Sequence, residues 1–387
     1  MFKKKTWIYI AAGAALALAL VLFIVLRINL TTVRIAFYGV DQRTENSVKA
    51  QIDKMKLGRV RYYDLDFGAA LPKNIQKKYS ILIAKNSFEL NSRAESFVPV
   101  NENLFEALPI SIRKATVYGQ KHYALPLLLD HFEIAYYQIS EKKLGLERPR
   151  TYGALLRYLE ALKQGVEIPL VCAGANDTEL FGFVSAMAEL LYGAEDYKKA
   201  VAVLRESSNM NKDNLPEAIA RVLDEIKALQ ERELLFSKWT KTSEKDISFF
   251  MQERKIGAVA MLLSKRRDIE YNLIKYYDSE YFPKYDNSVE HGVIAPQTVA
   301  VLLKDKKQAS LVLGQLTSSE IQADLSNGSF LAPVASRAEA YDRQADDIRF
   351  WAASCAAGPL NSIEQECENT NERRHLLAQK IRAYLER

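Results

Sequence analysis

The sequence predicts a mixed α/β protein folded as two lobes behind a single N-terminal apolar helix. Three observations carry that expectation. Strand-like and helix-like segments alternate from Val33 to Ala84, a second alternating series runs from Phe132 to Leu263, and an uncharged run, Trp7 to Leu26, precedes both. Strands separated by helix-length segments read as βαβ units with a mostly parallel sheet. At 387 residues the chain is long enough for more than one core.

The apolar run comes first in the chain. Twenty helical residues at about 1.5 Å each span roughly 30 Å, the hydrocarbon thickness of a bilayer. Lys3, Lys4 and Lys5 precede the run and should stay cytoplasmic, which places everything after Arg27 outside. A cleaved signal peptide is the competing reading, but its apolar region usually covers only about 7–15 residues. This run is longer and ends in the bulky Val21-Leu22-Phe23-Ile24-Val25-Leu26. No cysteine lies near its end to carry a lipid. The expectation is a signal anchor in residues 1–30, single-pass in the cytoplasmic membrane, with the body on the extracytoplasmic side.

Beyond the anchor, Val33 to Tyr38 alternates as a strand, Thr44 to Met55 has helical spacing, and Val60–Tyr63 and Ser80–Ala84 read as strands. Phe132 to Tyr137 is a long strand candidate. Thr151 is placed to cap a helix with Leu155, Leu156, Leu159 and Leu162 on one side. Ile168–Cys172 reads as a buried strand, Phe181–Leu191 and Pro216–Gln230 as helices, and Gly257–Leu263 and Thr298–Leu303 as strands. Helices resume at Ala309–Gln315 and from Asp346 to the end. Trp239 and Trp351 are expected in the core.

Composition narrows the function. Apolar residues make up 48% and charged residues 26%, as in ordinary folded proteins. The net charge of +5 arises mostly in the leader: removing Lys3, Lys4, Lys5 and Arg27 from 53 basic residues leaves 49 against 48 acidic. A nearly neutral body gives no electrostatic reason to expect nucleic acid. Cys172, Cys355 and Cys367 lack metal-site spacing, and His122, His131, His291 and His375 are scattered, so no metal or other cofactor is expected. An extracytoplasmic Cys355 and Cys367 are close enough in sequence to pair; three unlinked cysteines are the equal alternative. No nucleophile elbow, phosphate-cradling glycine loop or zinc-type His-Glu pairing is present, and the chain is not expected to be an enzyme.

Four passages carry a resemblance. Tyr118-Gly119-Gln120-Lys121-His122-Tyr123-Ala124-Leu125-Pro126 with Ala135-Tyr136-Tyr137-Gln138 comes first. Leu144-Gly145-Leu146 with Pro149-Arg150-Thr151-Tyr152-Gly153 follows, then Phe250 to Met261, and last Ile294-Ala295-Pro296 through Thr317-Ser318-Ser319-Glu320-Ile321-Gln322 to Phe330-Leu331-Ala332-Pro333-Val334. In this order and spacing they resemble the extracellular sugar-binding proteins of ABC-type importers, the maltose-binding-protein-like group. Two substitutions depart from the family's pattern: Gln138 stands where Asn is usual, and Tyr152 stands for Trp.

The resemblance implies a two-lobed periplasmic-binding-protein type II fold with hinge crossovers and a solute held between the lobes. It would place residues 31–130 plus 291–340 in lobe one and 131–290 plus 341–387 in lobe two. It also implies a monomer that takes a sugar or sugar-like ligand and delivers it to permease subunits. A derived sensor or accessory protein, tethered by the very short link Arg27–Leu30, is the alternative role.

Candidate ligand contacts sit in loops after strand ends, where α/β clefts form. They are Tyr38, Asp41 and Gln42 after the first strand, and Asn86 and Ser87 after the third. Asp130 and His131 stand just before the crossover, and Asn176 and Asp177 follow the short second-lobe strand. Each has a plainer reading as a cap, a turn or a packed residue; Asn176 and Asp177 open a helix where such residues cap routinely. Arg267 falls near the position where many sugar binders of the family keep a stacking Trp. If it enters the cleft, its guanidinium would favour an anionic ligand.

Overall fold

The structure, a computed structural model, describes Leu20 and residues 31–118, 120–206, 215–286, 288–367 and 370–387. The expected anchor therefore lies, apart from Leu20, outside the described residues. Among the described residues no helix is long and apolar enough to cross a membrane.

The first part of the chain forms β1 (Val33–Tyr38), α1 (Gln42–Lys54), β2 (Val60–Leu65) and β3 (Ile81–Lys85). A hairpin of β4 (Val117–Tyr118) and β5 (Lys121–His122) leads into β6 (Ala124–Leu129). Next come β7 (Phe132–Tyr137), α2 (Tyr152–Leu162), β8 (Ile168–Cys172), α3 (Asp177–Glu206), α4 (Glu217–Glu231), α5 (Glu244–Gln252), β9 (Ile256–Leu262) and β10 (Tyr277–Glu280). The last part holds β11 (Val293–Ile294), β12 (Gln297–Leu302), α6 (Lys307–Leu316), α7 (Ser319–Ser329) and β13 (Ala332–Pro333). It closes with α8 (Arg343–Ser354), β14 (Pro359–Leu360), α9 (Ile363–Cys367) and α10 (Asn371–Leu385).

Two sheets divide these strands. The first has the order β13-β6-β12-β3-β1-β2, with β1 parallel to β2 and β3, and with β12 inserted antiparallel between β3 and β6. The second has the order β10-β7-β9-β8. Because β12 returns to the first sheet only after the chain has built the second, the polypeptide crosses between sheets more than once. It crosses first at Asp130-His131, between β6 and β7, and returns in the stretch from β10 to β12. β11 and β14, which lie on the later crossings, pair in parallel. These are the expected hinge crossovers between two lobes.

Each sheet is apolar on both faces because helices cover both. Along β1, Val33, Ile35 and Phe37 face one core while Ala36 and Tyr38 face another. β7 alternates likewise, with Phe132, Ile134 and Tyr136 on one side and Ala135 and Tyr137 on the other. Trp239 is fully buried beside Phe183 in the main second-lobe core, as expected. Thr151 caps α2 by accepting from the Ala154 amide. β6 carries Pro126 inside a sheet, and the register against β12 shifts there; a bulge is where a residue without an amide hydrogen is tolerated.

Several boundaries move. The expected C-terminal helical stretch from Asp346 is three helices, interrupted at Gly358, which has a positive φ of 68°, and at β14. Residues 341–387 were expected with lobe two as a block. Ala345, Ile348 and Ala352 of α8 instead pack into the first-lobe core, whereas Leu377, Ala378 and Ile381 of α10 pack into the second. Those three α8 residues form one stripe that matches the lobe-one surface, so burial divides the segment. Cys355 packs against the first-lobe core and Cys367 against the second, and no disulfide joins them.

Candidate functional site

The strands deliver their C-terminal loops to the gap between the lobes. From lobe one come Tyr38 after β1 and Lys85, Asn86 and Ser87 after β3; from lobe two come the end of α3 and the stretch from β14 through α9. Two adjoining cavities lie there. The larger, of about 620 Å³, has Asn86, Phe88, Lys114 and Tyr118 on one wall and Tyr197, Arg205 and Glu366 on the other. The smaller, of about 260 Å³, has Tyr38, Lys85, Ser87 and Arg93 facing Glu364 and Gln365. Phe88, Arg205 and Glu366 belong to both. The larger volume falls within the range of small-molecule sites, about 300–1,000 Å³.

Phe88 owes its position to Ser87, whose hydroxyl caps the short helical turn Phe88–Asn91 by accepting from the Leu90 amide at 3.3 Å. The ring is thereby held out from the strand end and is 38% exposed. Arg205 approaches from α3, with its guanidinium carbon 3.5 Å from the Phe88 ring centroid. Its Nη1 donates to a Glu366 carboxylate oxygen and to the Glu366 carbonyl, each at 3.3 Å. Burial pushes the Glu366 carboxyl up. In the smaller cavity Glu89 organises the wall. It accepts from Tyr38 Oη at 3.0 Å, from the Leu71 amide at 2.8 Å and from Arg93 at 3.0 Å. Burial first, and Glu89 second, drive the Tyr38 phenol far above its usual range, so it is a hydrogen-bond donor.

Of the ten residues the sequence singles out, three meet at these cavities. Tyr38 and Ser87 line the smaller and Asn86 the larger. Asn86 is 2% exposed; its Nδ2 donates to the Ala115 carbonyl at 3.2 Å, and its Oδ1 is buried with no partner.

The other seven line neither cavity. Asp41 caps α1 through the Thr44 amide, and Gln42 donates to Asn46 on the helix surface. Asp130 accepts from Ser264 N at 2.9 Å and Ser264 Oγ at 2.8 Å, joining the crossover to the end of β9. Burial raises its carboxyl, against the opposing pull of Lys85. His131 is buried against Trp351, with its Nδ1 3.9 Å from Glu133. Asn176 caps α3 at the Thr178 amide and donates to Glu244 at 2.8 Å. Asp177 pairs with Arg382 at 2.7 Å and His375 at 3.0 Å. Arg267 is buried, bonded to Asp342 at 3.1 Å and set over Tyr341. It turns toward Asp342, the N-cap of α8, and adds no charge to either of these two cavities.

Sequence reasoning missed Phe88, Tyr118, Arg205 and Glu366. Phe88 directly follows a predicted contact and was within reach; Arg205 and Glu366 sit on helices whose local pattern signals only packing. Aromatic faces beside fixed donors and acceptors can hold a hydroxyl-rich ring by packing against its C–H face and by directional hydrogen bonds.

The chain has the fold of the sugar-binding solute-binding proteins of ABC importers. It is similar to the bacterial solute receptor AcbH, described as having an exclusive preference for β-D-galactopyranose, at a TM-score of 0.76 and 11% identity over 92% of each chain. RafE from Streptococcus pneumoniae matches at 0.67 and 13% identity, over 92% of this chain and 98% of that one. A sugar transporter protein from Bacillus licheniformis, in complex with stachyose, matches at 0.61 and 14%, over 92% and 98%. No protein-family model and no curated protein sequence matches the chain.

Proposed function

We propose that the chain is a membrane-tethered extracytoplasmic receptor that captures a carbohydrate between its lobes and delivers it, as a monomer, to an ABC importer. The cleft carries the reading: Phe88 offers a ring face, and Asn86, Arg205 and Glu366 place polar groups around it from both lobes. The similar structures bind galactopyranose, raffinose or stachyose, which supports a sugar ligand. The basic flank and apolar run at the N-terminus support tethering, with the body outside. Asn86, Ser87 and Tyr38 are the proposed contacts among the residues first singled out.

Calorimetric titration of the full chain with galactopyranose, raffinose, stachyose and chitin oligosaccharides tests the reading. At least one should bind, and Phe88→Ala should weaken that binding by about tenfold or more, the scale of a lost stacking contact. Tight binding unchanged in that variant would move the site elsewhere. A second reading, an accessory or sensor protein, draws on one observation: a guanidinium group already lies over one face of each of Phe88 and Phe67. Co-purification with permease subunits, with and without sugar, separates the two roles.

A further inference from the structure

The C-terminal helix α10 belongs to lobe two by its core side chains, yet its first turn reaches lobe one. Arg374 lies with its guanidinium carbon 3.9 Å from the ring centroid of Phe67, in the loop after β2. Its Nη2 donates to the Phe67 carbonyl at 3.3 Å, and its Nη1 stands 3.9 Å from a Glu364 oxygen of its own lobe. The side chain is 6% exposed. One turn earlier, the Asn371 amide donates to the Gly68 carbonyl at 3.4 Å. Gly68 makes this approach possible: a Cβ there would stand 2.7 Å from Asn371 Nδ2. Phe67 is braced from its own lobe by Tyr38, edge-on at 5.0 Å.

We propose that the first turn of α10 is a strap that holds the two lobes shut before any ligand arrives, with Arg374 on Phe67 as its clasp. A second crossing contact, Arg43 to Asp268 at 2.9 Å, joins side chains that are 45% and 56% exposed. An ion pair so exposed contributes little, whereas a desolvated guanidinium on an aromatic face contributes substantially. Arg205 over Phe88, at 3.5 Å, crosses the gap in the same way, so the closure rests on these two guanidiniums, with Arg374 the more deeply buried of the two at 6% against 21% exposure. Opening the cleft means withdrawing Arg374 from Phe67 and Asn371 from Gly68 together. The inference rests on the two-lobe reading and not on the identity of the ligand.

Spin labels attached through a ketone-bearing amino acid at exposed positions 106 and 231, one on each lobe, report the separation in the full chain without any sugar. The unmodified contact should give one short distance. Arg374→Ala should add a longer population, raising the open-to-closed ratio by about tenfold. Gly68→Val blocks Asn371 from the lobe-one side without touching the second core, and should produce the same longer population. A long distance already dominant in the parent chain, or an unchanged distribution in both variants, overturns the strap. Failure to bind sugar in the titrations above would leave this ligand-free measurement unaffected.

Discussion

Glu179, near the start of α3, is fully buried and keeps one carboxylate oxygen on the Leu262 amide while the other has no partner. Burial, which outweighs every neighbouring charge, pushes its carboxyl up to about 8. The folded chain therefore holds a proton that the unfolded chain releases near pH 4–5. That contribution to stability is complete below the unfolded value and is lost as pH rises through about 8, by linkage. Thermal melts should show a midpoint that falls between pH 5 and pH 9. Glu179→Gln, a neutral mimic of the protonated form, should flatten the fall, with a difference on the order of 3 kcal/mol between the ends. A parallel decline in parent and variant would assign the proton to another group. The same logic of satisfied partners explains the singled-out polar residues: Asp41, Asn176 and Asp177 spend their hydrogen-bonding capacity on caps and ion pairs, so a loop position at a strand end was not a sufficient condition for a cleft contact.

At the scale of elements, α3 decides where the second wall of the cleft stands. It is broken at Gly193, whose φ of 75° and ψ of 173° leave the helical region. A Cβ at that position would meet Val289 and stand 3.0 Å from the Glu290 carbonyl. The break redirects the following residues so that Tyr197 and Arg205 reach the larger cavity. Gly193→Ala should lower the melting temperature, at a cost of about 1–3 kcal/mol for forcing a side chain into that backbone region, and equal melting curves would show that the bend relaxes freely. The apolar stretch from Phe181 to Leu191 signals the helix but not its interruption, because a glycine inside a helical pattern is compatible with either outcome. β6 was obscured for the opposite reason: Pro126 argues against a strand locally, and the bulge opposite β12 that admits it involves a segment far along the chain.

For the molecule as a whole, the two lobes are separate cores joined by crossing strands and closed by side chains from each. Cys355 and Cys367 lie near in sequence but pack against different cores, and burial raises the Cys355 thiol. The melting temperature of the oxidised protein should consequently be unchanged by a thiol reductant; a drop on reduction would reveal a disulfide after all. The alternation of strands and helices, the strand ends from which Tyr38, Asn86 and Ser87 reach the cleft, and the near-neutral body could all be read along the chain, since periodicity and composition are local properties. Tertiary structure alone settled the division of the C-terminal segment between lobes, the removal of Arg267 from the cavities, and the meeting of Phe88 with Arg205 and of Phe67 with Arg374. Those outcomes depend on burial and on contacts between residues distant in the chain, and neither quantity exists until the two lobes are packed.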